Sequence, residues 1–195
     1  MKFLSLSLCF TFLIRNSFCQ GSTDSISLYK DIIKYEQVET KHIGCIGIES
    51  TLFKKIDSLK NLIGPLSFIN YYSDNSYILK YYSFLIMMTK DDAQAFKELK
   101  AARNDTTVID YNFAGQNRGV VGFNTLIAYE YLLFVKFKYY YGTWCTIHGV
   151  GYNFEKKDRK GWRTRKHYFL ALVNNSSIDK KFIQNFAGFK ILKLK

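Results

Sequence analysis

A single proline, Pro65, stands in a chain of 195 residues. Proline breaks helices, is barred from central strands and stiffens linkers. A chain with only one therefore has no proline-rich hinge at which to divide. Residues 1–19 read as a leader, and residues 20–195 are expected to fold as one domain, large enough for a core that does not depend on disulfides.

The leader reading rests on three features. Lys2 supplies a positive start, Phe3 to Ile14 form an apolar run broken only by hydroxyl residues, and Ser17 and Cys19 are small residues before a cut at Gln20. The run is too short to cross a bilayer core of roughly 30 Å as a helix, so a cleaved signal and a secreted, extracellular product are expected. Further on, the greasiest stretch, Leu126 to Val135, is interrupted by Glu130 and followed by Lys136 and Lys138, which argues against a membrane-spanning segment.

Removing the leader changes the chemistry of what remains. Cys9 and Cys19 go with it, leaving Cys45 and Cys145. In an oxidising compartment they suggest one bridge closing a loop of about 100 residues, worth roughly 4 to 5 kcal/mol in the chain-entropy model. Two buried free thiols, or pairing with another chain, are the alternatives. The formal charge of +12 loses Lys2 and Arg15 and becomes +10. So basic a secreted protein is drawn to polyanions such as lipid head groups, sulfated glycans or released nucleic acid. Sequons at Asn104, Asn174 and Asn175 mark candidate glycosylation loops, the last two overlapping.

Apolar periodicity predicts an amphipathic helix over 23–37 through Ile26, Tyr29, Ile32 and Ile33, either packed on the domain or seeking a membrane. A short strand is expected over 42–48. A second helix is expected over 51–63, stopped by Gly64-Pro65, and a third over 90–102. Residues 66–89, dense in Tyr, Phe, Ile and Leu around a polar Ser73 to Ser76 turn, read as a β-hairpin. Strands are also expected over 108–113, 119–131, 132–141, 143–154, 167–173 and 186–194. The fold class is therefore α+β: a predominantly antiparallel β-sheet or sandwich with an N-terminal amphipathic helix and one or two further helices.

No metalloprotease, dithiol, nucleophile-elbow or phosphate-loop pattern occurs, and no cofactor or metal is expected. A small basic ribonuclease would need histidines to converge. His42 and His148 would approach one another if Cys45 and Cys145 were bridged. Two other features point to binding instead. The run 155–166 gathers Lys156, Lys157, Arg159, Lys160, Arg163, Arg165 and Lys166 around Trp162, and is expected to be a protruding loop, solvated or docking on phosphate or sulfate. Residues 136–145 hold Tyr139, Tyr140, Tyr141 and Trp144. On a strand three consecutive tyrosines cannot share a face, so at least one is exposed unless a second layer covers the strand.

Three segments, taken in order, resemble the actinoporin-like cytolysins. The amphipathic 23–37 precedes CIGIES at 45–50. RGVVGFNTLIAY at 118–129 is similar to that family's glycine-bearing strand. LFVKFKYYYGTW at 133–144 is similar to the strand entering its aromatic membrane-contact loop. The resemblance implies a phosphocholine-binding role for Tyr139, Tyr140, Tyr141 and Trp144, and an N-terminal helix that inserts to build a pore. The expectation is thus a secreted, non-enzymatic protein that binds membranes or anionic surfaces, a cytolysin-like or host-directed effector. A binding module for a host protein or sulfated glycan is the alternative.

Overall fold

The computed structural model describes residues 24–44, 48–114, 118–142, 145–147, 150–152 and 157–186. The expectations placed on the leader, Cys45, Trp144, His148, Lys156 and all but the start of 186–194 lie outside those residues. So do the side chain of Cys145 and with it the proposed bridge.

Helix α1 (24–32) leads into β1 (Gln37–Gly44) and β2 (Ile48–Glu49). Four helices follow: α2 (Thr51–Ile63), α3 (Pro65–Phe68) running into a 3-10 turn (Ile69–Ser73), α4 (Tyr77–Lys90) and α5 (Asp92–Ala101). Strands β3 (Val108–Ala114) and β4 (Arg118–Gly122) precede α6 (Phe123–Val135), which passes into a π-helical turn (Lys136–Tyr141). A small hairpin, β5 (Cys145–Ile147) and β6 (Val150–Tyr152), is followed by α7 (Arg159–Asn174) and α8 (Lys180–Phe186).

Helix dominates the described residues, which corrects the expectation of a predominantly antiparallel sheet or sandwich. The larger sheet has four short strands in the order β2-β1-β3-β4, with β1 and β3 parallel and the outer pairs antiparallel. Residues 66–89 form no hairpin: they are α3, the 3-10 turn and α4. Of the strand expected over 119–131 only the β4 portion is extended. Residues 132–141 complete α6 and the π turn, and 167–173 belong to α7. The strand at 108–113 and the helices at 51–63 and 90–102 are present with shifted ends. In place of the single strand expected over 42–48 stand the end of β1 and the start of β2, paired antiparallel, and in place of the one expected over 143–154 the antiparallel β5 and β6.

The departures in α4 and α6 share a cause. All of Ile78–Met88 except Lys80 is buried in α4, and all of α6 except Tyr129 and Leu133 is buried. A helix covered on every side has no polar face, so the 3.6-residue period vanishes and aromatic content imitates a strand. Capping shows where these helices begin and end. Ser76 Oγ accepts from the Leu79 N–H, and Asp91 closes α4 while its carboxylate accepts from Ala93 and Gln94 to open α5.

Helix α6 is the axis of the core, contacted by α4, α5, α7 and α8. Tyr131 stacks against Phe96 and Phe169, and fully buried Glu130 accepts the Tyr81 hydroxyl at 2.8 Å. Burial first, then the adjacent Glu130 charge, pushes the Tyr81 hydroxyl well above its ordinary range, so it stays a donor. A second buried carboxylate, Glu39 on β1, accepts from Gln37 Nε2 and from Ser50 Oγ. The Ser50 hydroxyl in turn accepts the Phe53 N–H and caps α2. The Tyr82 hydroxyl donates to the Glu39 carbonyl and accepts its N–H, tying α4 to the same strand.

Helix α1 is docked. Ile32 is fully buried, Tyr29 stacks on Tyr71 and donates to Asp74 at 3.0 Å, and Lys55 pairs with Asp31 at 2.9 Å, although Ile26 and Ile33 face solvent. No helix among the described residues is long and apolar enough to cross a membrane.

Ser50 unites a helix cap with a buried carboxylate's donor. Ser50→Ala is expected to lower the urea-unfolding free energy by about 2 kcal/mol, from a lost cap and an unsatisfied acceptor. Ser50→Thr should retain most of it.

Candidate functional site

The basic and aromatic segments singled out from the sequence meet on one face, and helix rather than loop or strand presents them. From Arg159 onward the charged run is the start of α7, whose first turn is capped by Asp158 Oδ1 accepting the Gly161 N–H at 2.9 Å. Trp162, Phe169, Leu172 and Val173 turn inward; Arg159, Lys160, Arg163, Thr164, His167 and Tyr168 turn outward. Lys157 lies exposed just ahead of the helix and Lys166 is half-buried along it. Among the described residues, no carboxylate lies within ion-pairing distance of Arg159, Lys160 or Arg163.

The three tyrosines divide because they sit on a π turn. Gly142, left-handed at φ 59°, ends that turn, and its N–H bonds to the Phe137 carbonyl. Tyr139 faces inward, while Tyr140 and Tyr141 are 42% and 38% exposed. Trp162, expected as a surface ring, is only 8% exposed and lies under Tyr140 with ring centroids 5.8 Å apart. The amphipathic ring on the surface of α7 is instead Tyr168, 54% exposed.

One acid holds this face together. Asp92, in the first turn of α5, accepts from Lys138 Nζ at 2.8 Å, from the Tyr139 hydroxyl and from Arg165 at 3.4 Å. The Asp158 N–H bonds to the Tyr139 carbonyl, closing the turn onto α7. The two elements touch at Gly161, where any Cβ would lie 2.9 Å from Tyr139 Cδ1 and still closer to the Asp158 carboxylate. Burial alone would raise the Asp92 pKa. The hydrogen bonds from Lys138 and Tyr139, with the charges of Lys138 and Arg165, outweigh it and hold the carboxyl below its usual value. Burial and the bond to Asp92 both raise the Tyr139 hydroxyl.

Between α7 and the π turn lies an open recess of about 400 Å³, lined by Tyr139, Asp158, Lys160, Gly161, Thr164, Arg165 and Tyr168. Lys160, Thr164 and Tyr168 form an i, i+4, i+8 stripe, visible from sequence only once the segment is read as a helix. Sequence reasoning passed over Asp92 as a helix-opening acid and Tyr168 as a strand residue. Asp158, a capping residue whose carboxylate accepts the N–H of Gly161 three residues on, was the available signal.

The remaining candidates are dispersed. His42 is exposed on β1, far along the chain from exposed His167 on α7. Exposed Asn104, Asn174 and Asn175 gather at the C-terminal end of α7: Asn104 Oδ1 accepts the Ser177 N–H, and Asn124 Nδ2 donates to both the Arg103 carbonyl and Ser177 Oγ. Of the segments compared with cytolysins, 118–129 is β4 passing into α6, and 133–141 is α6 passing into the π turn.

Asp92→Asn is expected to lower stability at pH 7 by about 1.5 to 3 kcal/mol, the range for hydrogen bonds to a charged group. A depressed folded-state pKa stabilises above the ordinary value of 3.8 and loses that contribution as pH falls through the folded value. Melting temperatures followed below about pH 4 should therefore fall more steeply for the wild type than for Asp92→Asn.

Protein-family models, curated proteins and solved structures contain no match to this chain, so the face itself carries the functional reading.

Proposed function

We propose that this chain is a secreted, non-enzymatic binding module that docks on a sulfate- or phosphate-bearing surface through the outer face of α7. The observation that carries this reading is the set of exposed cations Lys157, Arg159, Lys160 and Arg163. They stand clear of carboxylate ion pairs among the described residues and are bordered by the exposed rings of Tyr140, Tyr141 and Tyr168. Cations at such spacing meet anionic oxygens, and tyrosines supply amphipathic contact around them. A net charge of +10 without residues 1–19 would draw the whole molecule toward the same surface.

Docking without insertion is the form favoured by α1. Freeing that helix would expose Ile32 and break the contacts of Tyr29 with Tyr71 and Asp74 and of Lys55 with Asp31. A pore-building role for residues 24–32 would have to offset those losses.

The test uses immobilised heparin and phosphatidylserine vesicles at about 0.15 M salt. Near an anionic surface each cation contributes about 1 kcal/mol, so Arg159→Glu, Lys160→Glu and Arg163→Glu together should weaken binding about a hundredfold. Unchanged affinity would refute the docking face. Phosphatidylcholine vesicles should retain their dye; leakage abolished by deleting 24–32 would establish insertion instead.

Glycans, if added, would sit clear of this face. From Arg163 to Asn174 α7 rises about 16 Å. In a eukaryotic secretory host, Asn104→Gln is expected to remove one endoglycosidase-sensitive mass step and the Asn174→Gln/Asn175→Gln pair a second, with heparin retention unaltered.

A further inference from the structure

The basic face has a recess in it, and a flat polyanion would leave that recess unfilled. Its lining is mixed. Lys160 and Arg165 are cationic, Thr164 brings a hydroxyl, Asp158 is a carboxylate, and Tyr139 and Tyr168 bring rings from the two sides. At about 400 Å³ it falls within the range of small-ligand sites.

The mixture discriminates among ligands. A bare anion would be attracted by Lys160 and Arg165 and repelled by Asp158. A ring carrying both hydroxyl groups and an anionic group uses every side of the pocket. Asp158 employs Oδ1 on the Gly161 N–H and has a second oxygen with which to accept from a hydroxyl. Arg165 is steadied by Asp92 from behind, and its guanidinium has five N–H donors in all. Tyr168, more than half exposed, offers an apolar ring face beside a polar edge. Gly161, without a side chain, lets Tyr139 and Asp158 close together at the floor of the recess.

We propose that this pocket binds one sulfated sugar unit of an anionic glycan, with Lys160 and Arg165 on the sulfate, Asp158 and Thr164 on ring hydroxyls and Tyr168 against the ring face. The proposal rests on the docking reading above and deepens it: the outer cations supply charge-dependent attraction, and the pocket supplies selection for a sugar.

The experiment measures titration calorimetry of the full protein with a sulfated heparin disaccharide and its desulfated counterpart, alongside the salt concentration that elutes each variant from heparin. The sulfated disaccharide should bind at least tenfold more tightly than the desulfated one. Tyr168→Ala and Thr164→Val should each weaken that binding at least tenfold, and Thr164→Val, outside the ring of docking tyrosines and cations, should shift heparin elution little. Tyr168→Phe should retain it, and Arg163→Ala, outside the pocket, should shift elution while sparing the disaccharide. Both tested side chains are exposed, and an unchanged melting temperature verifies folding. Heparin retention that depends on the outer cations, with no disaccharide binding or none sensitive to Tyr168, overturns the pocket and leaves the docking face standing. Loss of both refutes the docking reading itself. Binding to phosphatidylserine vesicles that depends on Tyr168, without disaccharide binding, would make the pocket a lipid head-group site and overturn the sugar assignment.

Discussion

A helix that is apolar on every side has to be surrounded, and the architecture follows from surrounding α6. Its thirteen residues include Phe123, Leu126, Ile127, Tyr131, Leu132, Phe134 and Val135, all buried. Burying a side chain of this size stabilises by about 1.5 to 3 kcal/mol, so α4, α5, α7 and α8 converge on it. Within that apolar axis sits Glu130, whose carboxylate is tolerable because the Tyr81 hydroxyl donates to it. The Glu130–Tyr81 contact joins α6 to α4, the other helix with no exposed face, so a polar bond sets the register between the two most buried elements. It adds direction where apolar packing alone has little.

The basic and aromatic face is a consequence of how α6 ends. After Val135 the chain widens into a π turn, and that change of pitch sends Tyr139 inward to Asp92 while Tyr140 and Tyr141 stay at the surface. Asp92 opens α5, bonds the turn through Lys138 and Tyr139, and reaches α7 through Arg165. One carboxylate therefore fixes three elements and holds both Lys138 and Arg165, the latter lining the recess. Of the outer cations, Lys160 also lines the recess, while Arg159 and Arg163 lie outside it. The same cap that starts α7, Asp158, forms one wall of the recess. Folding and site geometry are here determined by the same groups.

How much of this was legible depended on whether a helix had a solvent side. Helices α2 and α5 carry Lys54, Lys60, Lys97 and Lys100 outward against Leu52, Leu59, Phe96 and Leu99 inward, and their periodicity was plain. Gly64, at φ 84°, and Pro65 at the next helix start gave the boundary at the expected place. In α4 and α6 the burial that stabilises them erased the pattern, and Tyr, Phe and Ile tilted the reading toward strands. Length was the better guide: fourteen residues of α4 exceed an ordinary strand. In α7 the misreading was of another kind. Seven basic residues in a dozen suggested a loop, although Trp162, Phe169 and Val173 already kept helical spacing. The chemistry of the site was therefore visible in outline, as cations beside tyrosines, but not its shape.

That difference in shape has an energetic meaning for binding. Cations on a loop would have to be ordered when a ligand arrives, at roughly 1 to 2 kcal/mol of backbone entropy per residue fixed. On α7 the backbone is already fixed by its cap, by Trp162 under Tyr140 and by Phe169 in the core. Arg165 is further held by Asp92, so only the outer side chains remain to be immobilised, at about 0.5 to 1.5 kcal/mol each. On the docking reading proposed above, a preorganised face of this kind would recognise spacing as well as charge, because Lys160, Thr164 and Tyr168 keep intervals of about 6 Å along the helix. A polyanion with regularly placed groups would match such intervals; a diffuse cloud of charge would gain nothing from them. On that same reading, a rigid helix in place of a flexible loop would turn a general attraction to negative charge into a basis for selecting one kind of anionic partner.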